Sequence, residues 1–282
     1  SLGHWLVRYR TTGAPGGARP LAKRIRTTRP LSRLSVGILC GEATDLRRCL
    51  VNVWPIADEV IIGDTGLPAR NRSTLQAEYP RLRFVDVGDV AGCPGGFSEA
   101  RNRVLDAATG EWFCWVDTDE VLVGHEQLHK YLEGGVFVGY ALKQHHLMLD
   151  VPKTFDTPMR VFRRVPAIRF YGCIHEQPQM GDANGDITPS LQLHDVEIAH
   201  VLGYLTEAIR RQKCLTRNLP LLVRDQQMFP DRRLGKLLVL RDLVNLGTWA
   251  REAAGGALTD DAKRYYQQAI GLFEQHFTDP SD

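Results

Sequence analysis

The sequence predicts an α/β protein in which a sheet is flanked by helices and followed by a helical C-terminal region. Three observations carry this. Over residues 34–116, strand-like apolar runs alternate with helical stripes, the alternation that marks an α/β domain. The run Trp112-Phe113-Cys114-Trp115-Val116 is apolar throughout and bounded by Gly110 and Asp117, as suits a parallel strand buried on both faces. Beyond His200, apolar residues recur at helical spacing.

Leu34 to Leu39 reads as the first strand. Leu46, Cys49, Leu50 and Val53 then form an i, i+3, i+4, i+7 stripe, the signature of an amphipathic helix. Pro55 and Asp58 punctuate its end. Glu59 to Gly63 is a second strand, running into the turn Asp64-Thr65-Gly66. Residues 73–79 predict a short helix with Ser73 as N-cap, and Leu82 to Val87 a third strand. Ser98 precedes a stripe of Arg101, Val104, Leu105 and Ala108, with Gly110 expected just past the helix end. Gly135 to Lys143, Met159 to Arg163 and Ile168 to Ile174 read as strands of a mixed sheet. Leu205 to Asp225, Asp231 to Leu246 and Thr259 to Phe277 read as helices. The expected organisation is an arm over 1–33, a catalytic domain over 34–204 and a helical region over 205–282.

The 282 residues suffice for a proper apolar core. No apolar run reaches the ~18 residues of a membrane span, and the start of the chain lacks a secretory pattern. The six cysteines show no C-x-x-C spacing, which points away from a zinc site or a dithiol redox motif and suits a reducing compartment. A cytoplasmic protein without a membrane span is expected. Residues 1–34 hold eight Arg and Lys and no acid, so against a net charge of +2 the remainder carries −6. Such an arm binds a polyanion or is simply a solvated leader.

Ligands of α/β sheets sit beyond the carboxyl ends of the strands. Those ends carry Cys40-Gly41-Glu42, Asp64-Thr65-Gly66, Asp86 and Asp117-Thr118-Asp119-Glu120. With 20 Asp in the chain, about one D-x-D pair is expected by chance, so position gives this one its weight. Residues i and i+2 leaving a strand point to one side. Asp117 and Asp119 would then hold a hard cation through oxygen ligands, able to neutralise charge on a diphosphate leaving group. The alternative is a solvated acidic turn. His145 and His146 receive no catalytic role, because adjacent strand residues face opposite sides.

Four segments in order resemble the family 2 glycosyltransferases of GT-A fold. They are Leu34 to Leu39 with the following helix, Asp58 to Gly66, Phe97-Ser98-Glu99-Ala100-Arg101-Asn102, and Gly110 to Glu120. Two later segments agree, Phe162-Arg163-Arg164 with Gly172-Cys173-Ile174-His175-Glu176, and Ile198 to Tyr204. The resemblance spans roughly residues 34–250 and is to the subgroup containing bacterial and phage peptide S- or O-glycosyltransferases. The sequence departs from that pattern at Cys40-Gly41-Glu42-Ala43, where the family has a Lys-Asn-Glu-like turn, and at Leu67-Pro68-Ala69, where it has Ser-Thr-Asp.

The resemblance implies a metal-dependent, inverting transfer of a sugar from a nucleoside diphosphate, UDP-linked, to a hydroxyl or thiol. The cation would be Mn²⁺ or Mg²⁺. Asp119 is then the direct metal ligand, with Asp117 on the ribose or a metal-bound water. His200 is either a third ligand or a structural histidine. Cys40, Glu42, Asp64, Thr65 and Thr118 line the nucleotide pocket. Arg101 pairs with base or phosphate, or else forms a surface salt bridge with Glu99 or Asp106. Glu176 is the first candidate for general base and His175 the second. The acceptor is a peptide, a glycan, a lipid-linked sugar or a modified nucleic-acid base, although no aromatic-basic platform accompanies the arm. A nucleotidyltransferase is a competing reading that lacks a Gly-rich, Lys- or Arg-bearing loop after the first strand. A non-catalytic nucleotide-sugar-binding module is another.

Overall fold

In a computed structural model, residues 33–90, 92–134, 136–146, 154–183, 190–200 and 206–278 are described. The basic arm, save Arg33, lies outside them. The order is β1 (Leu34–Cys40), α1 (Ala43–Val53), β2 (Glu59–Asp64), α2 (Ala69–Glu78), β3 (Leu82–Asp86), α3 (Gly96–Ala107), β4 (Trp112–Asp117), β5 (Glu120–Val123), α4 (Leu128–Gly134) and β6 (Gly139–His146). Then come β7 (Thr154–Asp156), β8 (Met159–Arg163), β9 (Ile168–Tyr171), β10 (Gln177–Met180), β11 (Ser190–His200), α5 (Glu207–Lys213), α6 (Leu219–Met228), α7 (Arg233–Ala253) and α8 (Asp260–His276). A π-helical turn, Cys214–Asn218, joins α5 to α6.

The main sheet runs β3-β2-β1-β4-β8-β6-β11-β5, with β7 also on β6. β3, β2, β1 and β4 are parallel, and β8 turns the sheet antiparallel. This is the mixed α/β sheet flanked by helices expected from the sequence. Among the described residues no helix is long and apolar enough to cross a membrane.

The apolar runs became strands because both faces of the parallel half are covered. On one face α1 docks its stripe, with Leu46, Cys49, Leu50 and Val53 fully buried. Leu46, Leu50 and Val53 each contribute about 2 kcal/mol by leaving water. On the other face α3 approaches closely because Gly37 and Gly63 lack side chains. A Cβ at either position would run into Val104 of α3.

Several boundaries differ from the sequence reading. The helix expected over 73–79 is α2, which begins at Ala69, four residues earlier, and Ser73 lies inside it with its Oγ donating to Ala69 O at 3.2 Å. α3 begins at Gly96, two residues before Ser98, whose Oγ donates to Gly95 O at 3.0 Å. Gly110 does not cap α3. Its N–H donates to Ser35 Oγ at 2.8 Å in a space with no room for a Cβ. The strand expected over 135–143 is β6, shifted to 139–146, and β9 stops at Tyr171, before the turn that carries His175. The helix expected over 205–225 is broken into α5, the π turn and α6. β5, β7, β10, β11 and α4 were not anticipated. The described residues form one compact unit.

Candidate active site

The carboxyl ends of the four parallel strands align. Cys40 pairs in register with Asp64, Asp64 with Asp86, and Leu39 with Asp117. Asp117 is the last residue of β4, and Glu120 already opens β5, so Thr118 and Asp119 form a tight connection. The two aspartates therefore do not continue a strand, and each has its own partner.

Asp117 Oδ1 accepts from Arg101 Nη2 at 2.6 Å. Arg101 Nε makes a short ion pair with Glu176. One buried guanidinium, 4% exposed, thus joins the end of β4 to the Cys173-Ile174-His175-Glu176 turn. It packs over the Trp115 ring at 4.4 Å. Partial desolvation opposes charge on Asp117, but Arg101 and Arg160 overcome it and hold its carboxyl below the usual range. The surface salt bridges to Glu99 and Asp106 are made instead by Arg103 and Arg169. The motif around Arg101 has a second function. Asn102 bonds Phe170 N and O, both at 2.9 Å, tying α3 to β9.

Asp119 Oδ2 lies 3.1 Å from His200 Nε2. Burial works against protonating His200, but the hydrogen bond its Nε2–H donates to Asp119 and the charges of Asp119, Glu120 and Asp117 raise its pKa overall. Among the described residues, no three His, Cys, Asp or Glu side chains converge as a ready metal cluster. The Asp119–His200 pair nevertheless fits a divalent cation. Two ligands at about 2.1 Å and a right angle lie about 3.0 Å apart, close to the observed separation. One oxygen and one imidazole leave the remaining positions to substrate and water.

Behind this pair lies a buried network that the sequence reading missed. Arg160 and Glu120, at 2% and 0% exposure, form a bidentate pair of 2.6 and 3.1 Å. Gln144 bridges both, and Glu120 Oε2 accepts from Asp117 N–H at 2.8 Å. Desolvation raises the Glu120 pKa. Arg160 also covers the Trp115 ring at 3.6 Å. A lone arginine within the apolar stretch Met159-Arg160-Val161-Phe162 was the available signal, since a buried charge needs a buried partner.

The other expected pocket residues sit on the same rim. Asp64, 4% exposed, uses Oδ1 to accept from Gly66 and Leu67 N–H at 2.8 and 2.6 Å, and Oδ2 to pair with Arg72 at 3.1 Å. It shapes its own turn. Glu42 is exposed at the start of α1. Thr65 N–H donates to Cys40 O at 2.9 Å. Burial pushes the Cys40 thiol up to about 12, so it is inert. Thr118 is half-buried, and its carbonyl accepts from Arg48 at 3.4 Å. His175 turns away from Glu176, with Nε2 3.5 Å from Arg241 Nη2. Desolvation, then Arg241, Arg217 and Arg232, lower its pKa to about 3.

No family model matches the sequence. The chain is 32% identical over 142 residues to a TPR repeat-containing protein of Synechococcus elongatus, covering 49% of this chain and 33% of that protein. It is 21% identical over 145 residues to the SPbeta prophage-derived glycosyltransferase SunS of Bacillus subtilis, covering 50% and 33%. The chain thus matches about a third of the length of these two relatives. Among solved structures it is similar to S. aureus TarS residues 1–349, at 13% identity and TM-score 0.44, covering 86% of this chain and 80% of that one. It is also similar to glucosyl-3-phosphoglycerate synthase of Mycobacterium tuberculosis in complex with Mn²⁺, UDP and phosphoglyceric acid, at 21% identity and TM-score 0.32, covering 41% and 43%.

Proposed function

We propose that the chain is a metal-dependent, inverting glycosyltransferase that moves a sugar from a UDP-linked donor to an acceptor hydroxyl or thiol. One observation carries this reading. A cation-compatible pair, Asp119–His200, and a carboxylate on a separate turn, Glu176, meet at the same end of a parallel sheet, linked through Asp117 and Arg101. The sequence likeness to a protein named as a glycosyltransferase supports it.

In this reading Asp119 and His200 would hold Mn²⁺ or Mg²⁺, which when bound would supply charge neutralisation for a diphosphate leaving group. Asp117 would face the ribose or a metal-bound water, and the strand ends at Cys40, Glu42, Asp64, Thr65 and Thr118 would receive the nucleotide. Glu176 takes the acceptor proton as the acceptor oxygen or sulfur bonds the sugar carbon and the bond to diphosphate breaks. His175 is a poor base near neutrality, because burial first, and then three guanidiniums, oppose its protonation. Arg101 orients Glu176 and Asp117 and is too enclosed by them to serve as a phosphate ligand.

A donor panel tests the reading. The protein is incubated with Mn²⁺ and each common nucleotide sugar, and release of nucleoside diphosphate is measured. Turnover of one UDP-sugar that stops in EDTA is expected. Binding of a UDP-sugar without any turnover, with or without candidate acceptors, would make it a binding module instead.

A further inference from the structure

His146 lies outside every role assigned above. Strands β5, β11 and β6 run side by side, and their register sets Glu120, His200 and His146 in one row. Residues paired across neighbouring strands share a face. The alternation that sends His145 to Glu197 therefore sends His146 to His200. Their Nδ1 atoms are 3.1 Å apart, with the rings edge to face at 71°. His146 Nε2 then lies 3.3 Å from Asp156 Oδ2, on β7. Four groups form one string, Asp119–His200–His146–Asp156, in which the His200 imidazole is 10% exposed and the outermost carboxylate, Asp156, 66%.

We propose that His146, backed by Asp156, is a positioning residue that fixes the ring orientation and tautomer in which His200 offers Nε2 to a divalent cation beside Asp119. This rests on the metal site of the proposed function. The placement of protons decides which nitrogen faces the cation. Asp119 alone favours the wrong tautomer, because a carboxylate beside Nε2 keeps a proton there. For Nε2 to present a lone pair, the proton must sit on Nδ1 and needs an acceptor. His146 Nδ1 is that acceptor only when the proton of His146 is on Nε2. Asp156 accepts from Nε2–H and holds it there. Each member of the string is thereby assigned one direction of donation, the outer-sphere arrangement that makes a histidine a good ligand. A histidine present for packing alone would not engage both nitrogens in line.

The test is Mn²⁺ titration of the full chain with UDP present, following free Mn²⁺ by electron paramagnetic resonance. His200→Ala defines the loss of the ligand itself. His146→Phe should weaken Mn²⁺ binding roughly 10- to 100-fold, the range for loss of an outer-sphere partner, with an unchanged melting temperature. His146→Gln, whose amide oxygen can accept, should recover part of the affinity. Asp156→Asn should cost less, because that carboxylate is exposed. If His200→Ala weakens binding and His146→Phe does not, the string is overturned and the metal site stands. If wild type binds no Mn²⁺, both fall. An independent reading comes from ¹⁵N spectra of the imidazoles in wild type with Mg²⁺ and UDP. His200 protonated at Nδ1 supports the string, and His200 protonated at Nε2 overturns it whatever the variants do.

Discussion

Arg101→Met is the most informative single perturbation, because it removes a cation shared by two carboxylates. The costs differ. The Glu176 side chain is 8% exposed and the Arg101 side chain 5%, so the methionine would leave a carboxylate with little water to replace its partner. Breaking a buried pair from one side costs about 3–5 kcal/mol. Asp117 is 40% exposed, so water covers it again and its share is small. The expected loss is about 3–4 kcal/mol. Arg101→Lys keeps the charge but not the fork. Nε and Nη2 serve different carboxylates, and an ammonium on a flexible stem meets only one well, at a cost of about 2 kcal/mol. Urea denaturation followed by circular dichroism measures both. The decisive comparison adds Glu176→Gln to Arg101→Met. Neutralising the stranded carboxylate should return about 2 kcal/mol, so the double variant is markedly less destabilised than the sum of the singles. A loss below 1 kcal/mol in Arg101→Met, or strict additivity in the double variant, would refute the shared-cation account.

Four further outcomes are expected. Asp119→Asn should abolish most donor turnover without changing the melting temperature, and full activity of wild type in excess EDTA would contradict the cation role. Glu176→Gln should slow transfer by about 10²-fold or more with donor affinity retained, whereas a joint fall of donor affinity and melting temperature would assign Glu176 to scaffolding. His175 gives a pH signature. Its pKa is lowered from 6.5 to about 3 in the fold, so between those values the unfolded chain binds the proton more readily. The stability from this neutral ring is complete above pH 6.5 and is lost as pH falls toward 3. His175→Gln should flatten that slope by on the order of 2 kcal/mol, allowing for a half-buried ring, and an unaltered slope would place the acid sensitivity elsewhere. Deleting residues 1–30 should leave hydrolysis of the donor by water unchanged but weaken transfer to an anionic acceptor, a loss that shrinks at high salt. A large fall in melting temperature would show instead that the arm is needed for folding.

The parallel half of the sheet was legible because both of its faces are covered. β1, β2 and β4 read as continuous apolar runs, and the stripe of α1 is as buried as its period requires. The second half was less so. β11 reads Ser-Leu-Gln-Leu-His-Asp-Val-Glu-Ile-Ala-His, and its first residues are mostly exposed. A register shift between Leu193 and Glu197 interrupts its pairing with β6. A period-two pattern broken by a bulge gives little signal in one sequence. The site was legible as a set of residue types at strand ends, not as pairings. Asp117 and Asp119 were expected to act as one pair, yet the two-residue connection between β4 and β5 gives them different partners. The association of Arg101 with Glu176, 75 residues apart, depends on α3 docking against β9, which no local pattern encodes. The rule of alternation that gives His146 no role beside His145 is correct, but the register that puts His200 beside it is not written in either strand alone.

The helical region is joined to the candidate site through the turn after β9. Asp225 on α6, fully buried, accepts from Cys173 N–H at 2.6 Å and from Arg232 Nη1 at 3.0 and 3.1 Å. Arg232, 2% exposed, donates to His175 O at 2.7 Å and to Ile174 O at 3.4 Å. Gly172, at φ +106°, lies against the Arg232 guanidinium, where a Cβ would have no room. Cys173 and Ile174 pack with Leu221, Leu222, Leu238 and Val239 in a small apolar cluster. The turn so gripped contains His175 at φ +50°, the only non-glycine at positive φ among the described residues. Left-handed backbone at such a residue costs roughly 1–2 kcal/mol, which the surrounding bonds must offset. The conformation has a geometric use. It lets consecutive side chains diverge, His175 toward Arg241 on α7 and Glu176 inward to Arg101 on α3. The direction of Glu176 is therefore set as much by α6 and α7 as by the sheet. Removing those helices would strand a carboxylate-bonded turn whose partners are both buried, so α6 and α7 act on Glu176 through the backbone of the turn that carries it.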